Sequence, residues 1–317
     1  MSFAIAVALL AAIPAAATET AIEAPGPAGA LQGTMLAPGV AHSPVILIIP
    51  GSGPTDRNGN SPLGVGSSTY RLIAEGLVAR GVTTVRIDKR GLFGSARAIP
   101  DANAVTVPDY VADVRSWTAT IRARTGAQCI WLLGHSEGGL VALAAARAPD
   151  ICGLILVSAA GRPLGSVLRE QLRANPANAP VLDQAMSALA SLEAGRHVDT
   201  TGMHPGLMPL FAPRIQNFLI SLLSYDPARL LAGYDRPVLI LQGQRDIQVS
   251  EQDARLLYAA DSRADLVLLP NTNHVLKTVN SDDRAANIAT YGDPSLPLAP
   301  NVVATIAGFV TSHLVRR

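Results

Sequence analysis

The sequence predicts an α/β fold: a mostly parallel central sheet flanked by helices, with a helical cap inserted late in the strand series. Three observations predict it. Short apolar runs, many of them β-branched, alternate with segments of helical periodicity, as strands buried on both faces and joined by helical crossovers require. The alternation lapses from Gly161 to about Tyr234 and then returns, so this insertion of about 70 residues reads as helical. Finally, Gly134-His135-Ser136-Glu137-Gly138-Gly139 stands between an apolar run and an alanine-rich helical run. Gly-x-Ser-x-Gly in that setting turns sharply and exposes its serine.

In chain order, 18–39 is rich in Ala, Pro and Gly, with β-like pieces around Ala30 to Leu36. Val45 to Ile49 is a continuous apolar strand, broken by Pro50-Gly51-Ser52-Gly53-Pro54 and a polar loop through Asn60. Tyr70 to Arg80 reads as a helix stopped by Gly81, and Val82 to Ile87 as the next strand. Pro108 to Arg124 carries proline in its first turn and Gly126 just past its end, an ordinary helix signature. The strand at Ile130 leads to Ser136 and its helix, and Gly153 to Val157 gives a further strand. Within the insertion, Leu168 to Arg173, Pro180 to Ala194 and Ile215 to Ser224 read as helices. Strands resume at Pro237 to Leu241 and Leu266 to Leu269, and a helix from about Asn301 closes the chain. The expected organisation is therefore a core of 18–161 and 233–317 with a cap of 162–232.

Composition narrows the function. The 317 residues are 49% apolar and 15% charged, which suits a large core and argues against disorder. Twenty-five basic and 24 acidic residues leave a net charge of +1 without a dense basic cluster, so nucleic acid is not an expected partner. Phe3 to Ala17 is apolar and ends in Pro14-Ala15-Ala16-Ala17, the pattern of a secretory leader with cleavage near Ala17. It lacks a basic n-region, since the first Lys or Arg is Arg57, and it is too short for stable membrane insertion. The expected location is secreted or periplasmic. Cys129 and Cys152, each opening a strand-like run, are either a disulfide between neighbouring strands or two buried thiols. Neither belongs to a metal-ligand pattern, and no metal or cofactor is expected.

A serine hydroxyl is a weak nucleophile at neutral pH and needs an imidazole to take its proton and a carboxylate to hold the imidazole. Both should lie in loops at the C-terminal ends of later strands. Asp246 follows the Pro237 strand through Gln242-Gly243-Gln244-Arg245, and Ser250 with Asp253 supplies a box-like start for the next helix, leaving Asp246 free. Asp226, inside the insertion, is the weaker candidate. His274 follows the Leu266 strand, whereas the other histidines lie outside such loops, in the cap, or, as His135, beside the serine but pointing away. The order Ser136, Asp246, His274 is that of Ser, acid and His in hydrolases with this turn. Two backbone N–H groups must meet the developing oxyanion: Glu137 supplies one and Ser52, between Gly51 and Gly53, the other. The rival reading of Pro50 to Gly53 as a phosphate loop lacks the Gly-Lys-Ser/Thr ending. Met203, Met208, Leu210 and Phe211 either line an acyl pocket or form plain cap core. Asp56 and Arg57 either organise the loop as a structural pair or touch substrate.

With these residues in view, the chain resembles serine esterases of the α/β-hydrolase superfamily, in the serine-aminopeptidase-like branch. The resemblance runs from about Leu31 to the C-terminus and rests on five segments. They are Pro50 to Asn60, Asp88-Lys89-Arg90-Gly91, Gly134 to Gly139, Leu241 to Asp246, and Asn273-His274-Val275-Leu276-Lys277. It implies an α/β-hydrolase fold, a Ser136, Asp246, His274 triad, oxyanion donors at Ser52 and Glu137, and a structural turn at Asp88 and Arg90. Pro50-Gly51 stands where many relatives carry His-Gly, a departure that leaves the backbone role of Ser52 intact. The expected activity is hydrolysis of a small-molecule carboxylic ester through an acyl-enzyme. Its rivals are an aminopeptidase, which would need an anion such as Glu193 or Asp199 for the substrate's ammonium group, a thioesterase or acyltransferase, and an inactive binding protein on the same fold.

Overall fold

The structure, a computed structural model, describes residues 17–314, so the expected leader lies outside the described residues apart from Ala17. Eight strands form one sheet: β1 Thr18–Ala24, β2 Leu31–Ala37, β3 Val45–Ile49, β4 Thr83–Ile87, β5 Ile130–His135, β6 Ile151–Val157, β7 Val238–Gly243 and β8 Asp265–Leu269. Their order across the sheet is β1-β2-β4-β3-β5-β6-β7-β8. β2 pairs antiparallel with both β1 and β4, and every pair from β4 to β8 is parallel.

The apolar runs become strands because both faces of the sheet are covered. On one face Leu47, Leu132 and Leu154 pack with Val111, Val114 and Trp117 of the helix Val107–Thr125. On the other, Ile46, Leu133 and Ile155 meet Ile73 and Leu77 of the helix Thr69–Val78 and Ile306 of the helix Val302–Ser312. The period-2 alternation of side chains assigns each residue to its layer. Helix Val107–Thr125 begins with a capping box formed by Thr106 and Asp109 and ends at Gly126 with φ 73°, so its sequence signals correspond to real caps.

Between β6 and β7 lie the helices Leu164–Ala174, Leu182–Glu193 and Gln216–Leu223, with shorter turns between them. They share an apolar cluster around Leu189, Leu192, Phe211 and Leu219. Among the described residues, no helix is long and apolar enough to cross a membrane.

Cys129 and Cys152 are disulfide-bonded at an S–S distance of 2.07 Å, closing a loop with a sequence separation of 23. This selects one of the two readings of the cysteines. A cross-link over a loop of that length restricts the unfolded chain by about 3 kcal/mol. Urea denaturation of a Cys129→Ser, Cys152→Ser double variant should show a loss of that order.

Candidate active site

Ser136 sits at φ 55°, ψ −121°, a conformation that costs a non-glycine residue on the order of 1–3 kcal/mol. It persists because its surroundings leave no alternative. Ser136 N–H donates to Val157 O at 3.0 Å, and Gly139 N–H donates to Ser136 O at 2.9 Å. A Cβ on Gly134 would lie 2.2 Å from Gly138 O, and one on Gly138 would lie 2.3 Å from Ile49 O. Both glycines are thus required by backbone approach, and the serine is fixed at the end of β5 where the helix Glu137–Ala145 begins.

Asp246 and His274 meet. Asp246 Oδ2 accepts from His274 Nδ1 at 2.8 Å and from Gln242 Nε2 at 3.2 Å, while Oδ1 accepts from the N–H groups of Gln248 at 2.8 Å and Val249 at 2.9 Å. Burial alone would raise the Asp246 carboxyl, but His274 and these donors outweigh it and hold it below the usual carboxylate range. An ionised carboxylate only accepts, so neutral His274 carries its proton on Nδ1 and leaves Nε2 as a base. Asp226 is occupied elsewhere: it caps the helix Pro227–Leu231 by accepting from Arg229 N–H. Asp253 completes the capping box of Ser250 and pairs with Arg162.

His135 is a participant that sequence reasoning set aside. Its ring centroid is 4.7 Å from that of His274, and its Nε2–H donates to His274 O at 2.8 Å. The carbonyl can only accept, so His135 Nδ1 receives the hydroxyl proton of Tyr70 at 2.9 Å. Burial, reinforced by the neighbouring His274, lowers His135 to about 3. It is a neutral strut between the serine turn and the histidine loop. Ser136 Oγ itself forms no hydrogen bond with His274; such contacts often close only when substrate binds.

Ser52, Ser136 and Glu137 line one cavity of about 660 Å³, closed on its far side by Leu168, Leu210 and Phe218 from the cap. Among the described residues, no protein acceptor binds the backbone N–H of Ser52 or Glu137, so both are free for a ligand. Of the four candidate pocket residues, Leu210 reaches this wall. Met203 and Phe211 are buried in the cap's own cluster with Met208 packed against them, and these three are not among the cavity's lining residues, which agrees with the cap-core alternative for them. Apolar residues on a cap helix carry no label for inner or outer face, so the walls Leu164, Val167, Phe218 and Leu222 were equally illegible. Arg57 pairs with Asp88 at 2.5 Å, and Arg90 with Asp113 at 2.7 Å; these are structural contacts beneath the loops. Among the described residues, no cluster of three or more His, Cys, Asp or Glu could hold a metal ion.

The family model described as "Alpha/beta hydrolase family" matches residues 45–289. The chain belongs to the α/β-hydrolase family. Its relatives include Esterase EstD of Thermotoga maritima, 25% identical over 214 residues, a match that covers 67% of this chain and 49% of that protein. The matching region thus spans about half the length of this curated relative. Among solved structures, Est1E from Butyrivibrio proteoclasticus superposes with a TM-score of 0.57 at 16% identity, covering 93% of this chain and 99% of that one. A thermophilic esterase from Thermogutta terrifontis gives 0.55 at 19% identity, covering 93% and 99%. At such identities the superpositions speak for the fold, and they agree with the α/β-hydrolase sheet described above.

The neutral His135 gives this α/β-hydrolase a specific acid sensitivity. Its folded value of about 3 lies below the ordinary 6.5, so the unfolded chain binds the proton more readily. Its stabilising contribution is complete above pH 6.5 and is lost as pH falls from there towards about 3. Unfolding free energy measured across that window should therefore drop on acidification, and His135→Gln should show a shallower slope.

Proposed function

We propose that this α/β-hydrolase cleaves carboxylic esters through an acyl-enzyme on Ser136. The observation that carries the reading is the 2.8 Å contact between Asp246 Oδ2 and His274 Nδ1, which leaves Nε2 free to act as the base for Ser136, itself held at positive φ. His274 Nε2 takes the hydroxyl proton as Ser136 Oγ attacks the carbonyl carbon, and the tetrahedral oxyanion lies against the N–H groups of Ser52 and Glu137. The imidazolium returns the proton to the departing alkoxide. Water, deprotonated by the same nitrogen, then attacks the acyl-enzyme, and collapse releases the acid and the serine.

The cavity favours neutral, apolar esters. Its charged lining residues are Lys89, Arg162 and Glu137, and none is unpaired: Lys89 meets Glu137 at 3.4 Å, and Arg162 meets Asp253 at 2.9 Å as well as Glu170. An aminopeptidase would need a carboxylate free for the substrate's ammonium group. Glu193 is engaged by Arg169, and Asp199 is exposed and turned to Thr201, so neither supports that alternative. A thioesterase would use the same residues and is the nearer rival. Two of the relatives, EstD of Thermotoga maritima and the Thermogutta terrifontis protein, are named as esterases, which adds support for the ester. The leader-like start and the disulfide together support export to an oxidising compartment.

Ser136→Ala should abolish hydrolysis of a short-chain p-nitrophenyl ester with the melting temperature retained; persistence of most activity would remove the mechanism. Asp246→Asn should lower kcat by about 10⁴-fold, because it favours the wrong tautomer of His274. An amino-acid anilide of similar size should be turned over far more slowly than the ester, and the reverse order would favour the peptidase.

A further inference from the structure

Gly51 precedes the oxyanion donor Ser52, and two buried side chains hold it from opposite directions. Its N–H donates to Tyr70 Oη at 3.0 Å, and its carbonyl accepts from Lys89 Nζ at 2.7 Å. A trans peptide points its C=O and the following N–H in opposite directions within one plane. Fixing Gly51 O therefore fixes the direction of Ser52 N–H. Lys89 is only 6% exposed, so its ammonium group is not a surface charge that happens to lie near a carbonyl. It also faces Glu137 Oε1 at 3.4 Å, the side chain of the second oxyanion donor.

We infer that Lys89 and Tyr70 are positioning residues that lock the Gly51–Ser52 peptide in its catalytic orientation. This inference rests on the acyl-enzyme reading above and deepens it. The charge-assisted bond from Lys89 polarises the peptide as well as orienting it, which makes Ser52 N–H a better donor to a developing negative charge. Tyr70 extends the lock. Its hydroxyl passes to His135 Nδ1, and His135 Nε2–H reaches His274 O, so one directed chain runs from the oxyanion loop to the loop of the base. Neither side chain has to touch the substrate's reacting atoms to act in this way.

The lock works in the transition state, where charge appears, and should leave substrate affinity alone. Lys89→Met should lower kcat for a p-nitrophenyl ester by on the order of 10–100-fold, less than the loss of a whole donor, with KM little changed. Lys89→Arg, which can still donate to Gly51 O, should recover much of that loss. Tyr70→Phe should show the same split between kcat and KM, and it serves as the test if Lys89→Met fails to fold. Wild-type kcat in a stably folded Lys89→Met or Tyr70→Phe variant overturns the lock, and so does a rise in KM at constant kcat, which would make Lys89 a substrate contact. Labelling of wild-type Ser136 by a fluorophosphonate separates the two levels: without labelling or turnover the acyl-enzyme reading itself falls, whereas with both intact the variants judge the lock alone.

Discussion

The site depends on one close approach of backbone to backbone. The helix that starts behind Ser136 runs so near the end of β3 that a Cβ on Gly138 would stand 2.3 Å from Ile49 O and 2.7 Å from Pro50 O. That contact sets the distance between the serine turn and the loop carrying Ser52. It is available because β3 and β5 are parallel neighbours, so their C-terminal ends leave the sheet side by side. The parallel continuation through β6, β7 and β8 brings the loops of Asp246 and His274 to the same rim. Residues far apart in sequence thus converge because strand order, not local sequence, decides which loops are neighbours.

Two histidines near each other pose an electrostatic problem that burial resolves. If both rings took protons, like charges would face each other across 4.7 Å. His135 is removed from the contest because desolvation keeps it neutral and its two nitrogens are committed to Tyr70 and the His274 carbonyl. His274 instead has Asp246 beside it, with Oδ2 accepting from Nδ1 at 2.8 Å. On the proposed acyl-enzyme reading, the positive charge formed during proton transfer therefore has one place to reside. The same division explains why His135, though next to Ser136 in sequence, has no nitrogen left to serve as its base.

Much of this architecture was legible because its strongest signals are local. Val45–Ile49 is a strand in the sequence pattern and in the structure, and Pro108 and Gly126 announce the two ends of the helix Val107–Thr125. The loops bearing Ser136, Asp246 and His274 were legible because each directly succeeds an apolar strand run, at the end of the sheet where ligands bind. By contrast, β1 was hidden: Thr18–Ala24 is an edge strand with several exposed residues, so its pattern lacks the continuous apolar run of a central strand. Tyr70 and Lys89 were hidden for another reason. Tyr70 read as one apolar position of a helix and Lys89 as part of a turn, and their meeting at Gly51 is a property of the assembled sheet. Phe211 and Leu210 are neighbours of similar polarity, yet one is sealed in the cap cluster and the other faces the cavity.

The cap's contribution is set by the absence of uncompensated charge in the cavity. With Lys89 and Arg162 each held by carboxylates, its wall offers a substrate mainly apolar surface and fixed backbone donors. If the substrate is the proposed ester, affinity for its remote part must then come from burial, worth about 0.8 kcal/mol per methylene, or roughly a fourfold gain for each added carbon. Such a gain is uniform and weakly selective until the chain reaches the walls formed by Leu168 and Phe218, beyond which overpacking reverses it. On the proposed reading, chemical selectivity resides at the rim, where the N–H groups of Ser52 and Glu137 would meet a carbonyl that is becoming an oxyanion. By the same reading, chain-length selectivity resides in the cap, so substitutions there would retune the substrate range without disturbing the geometry that Gly138 and Gly51 enforce.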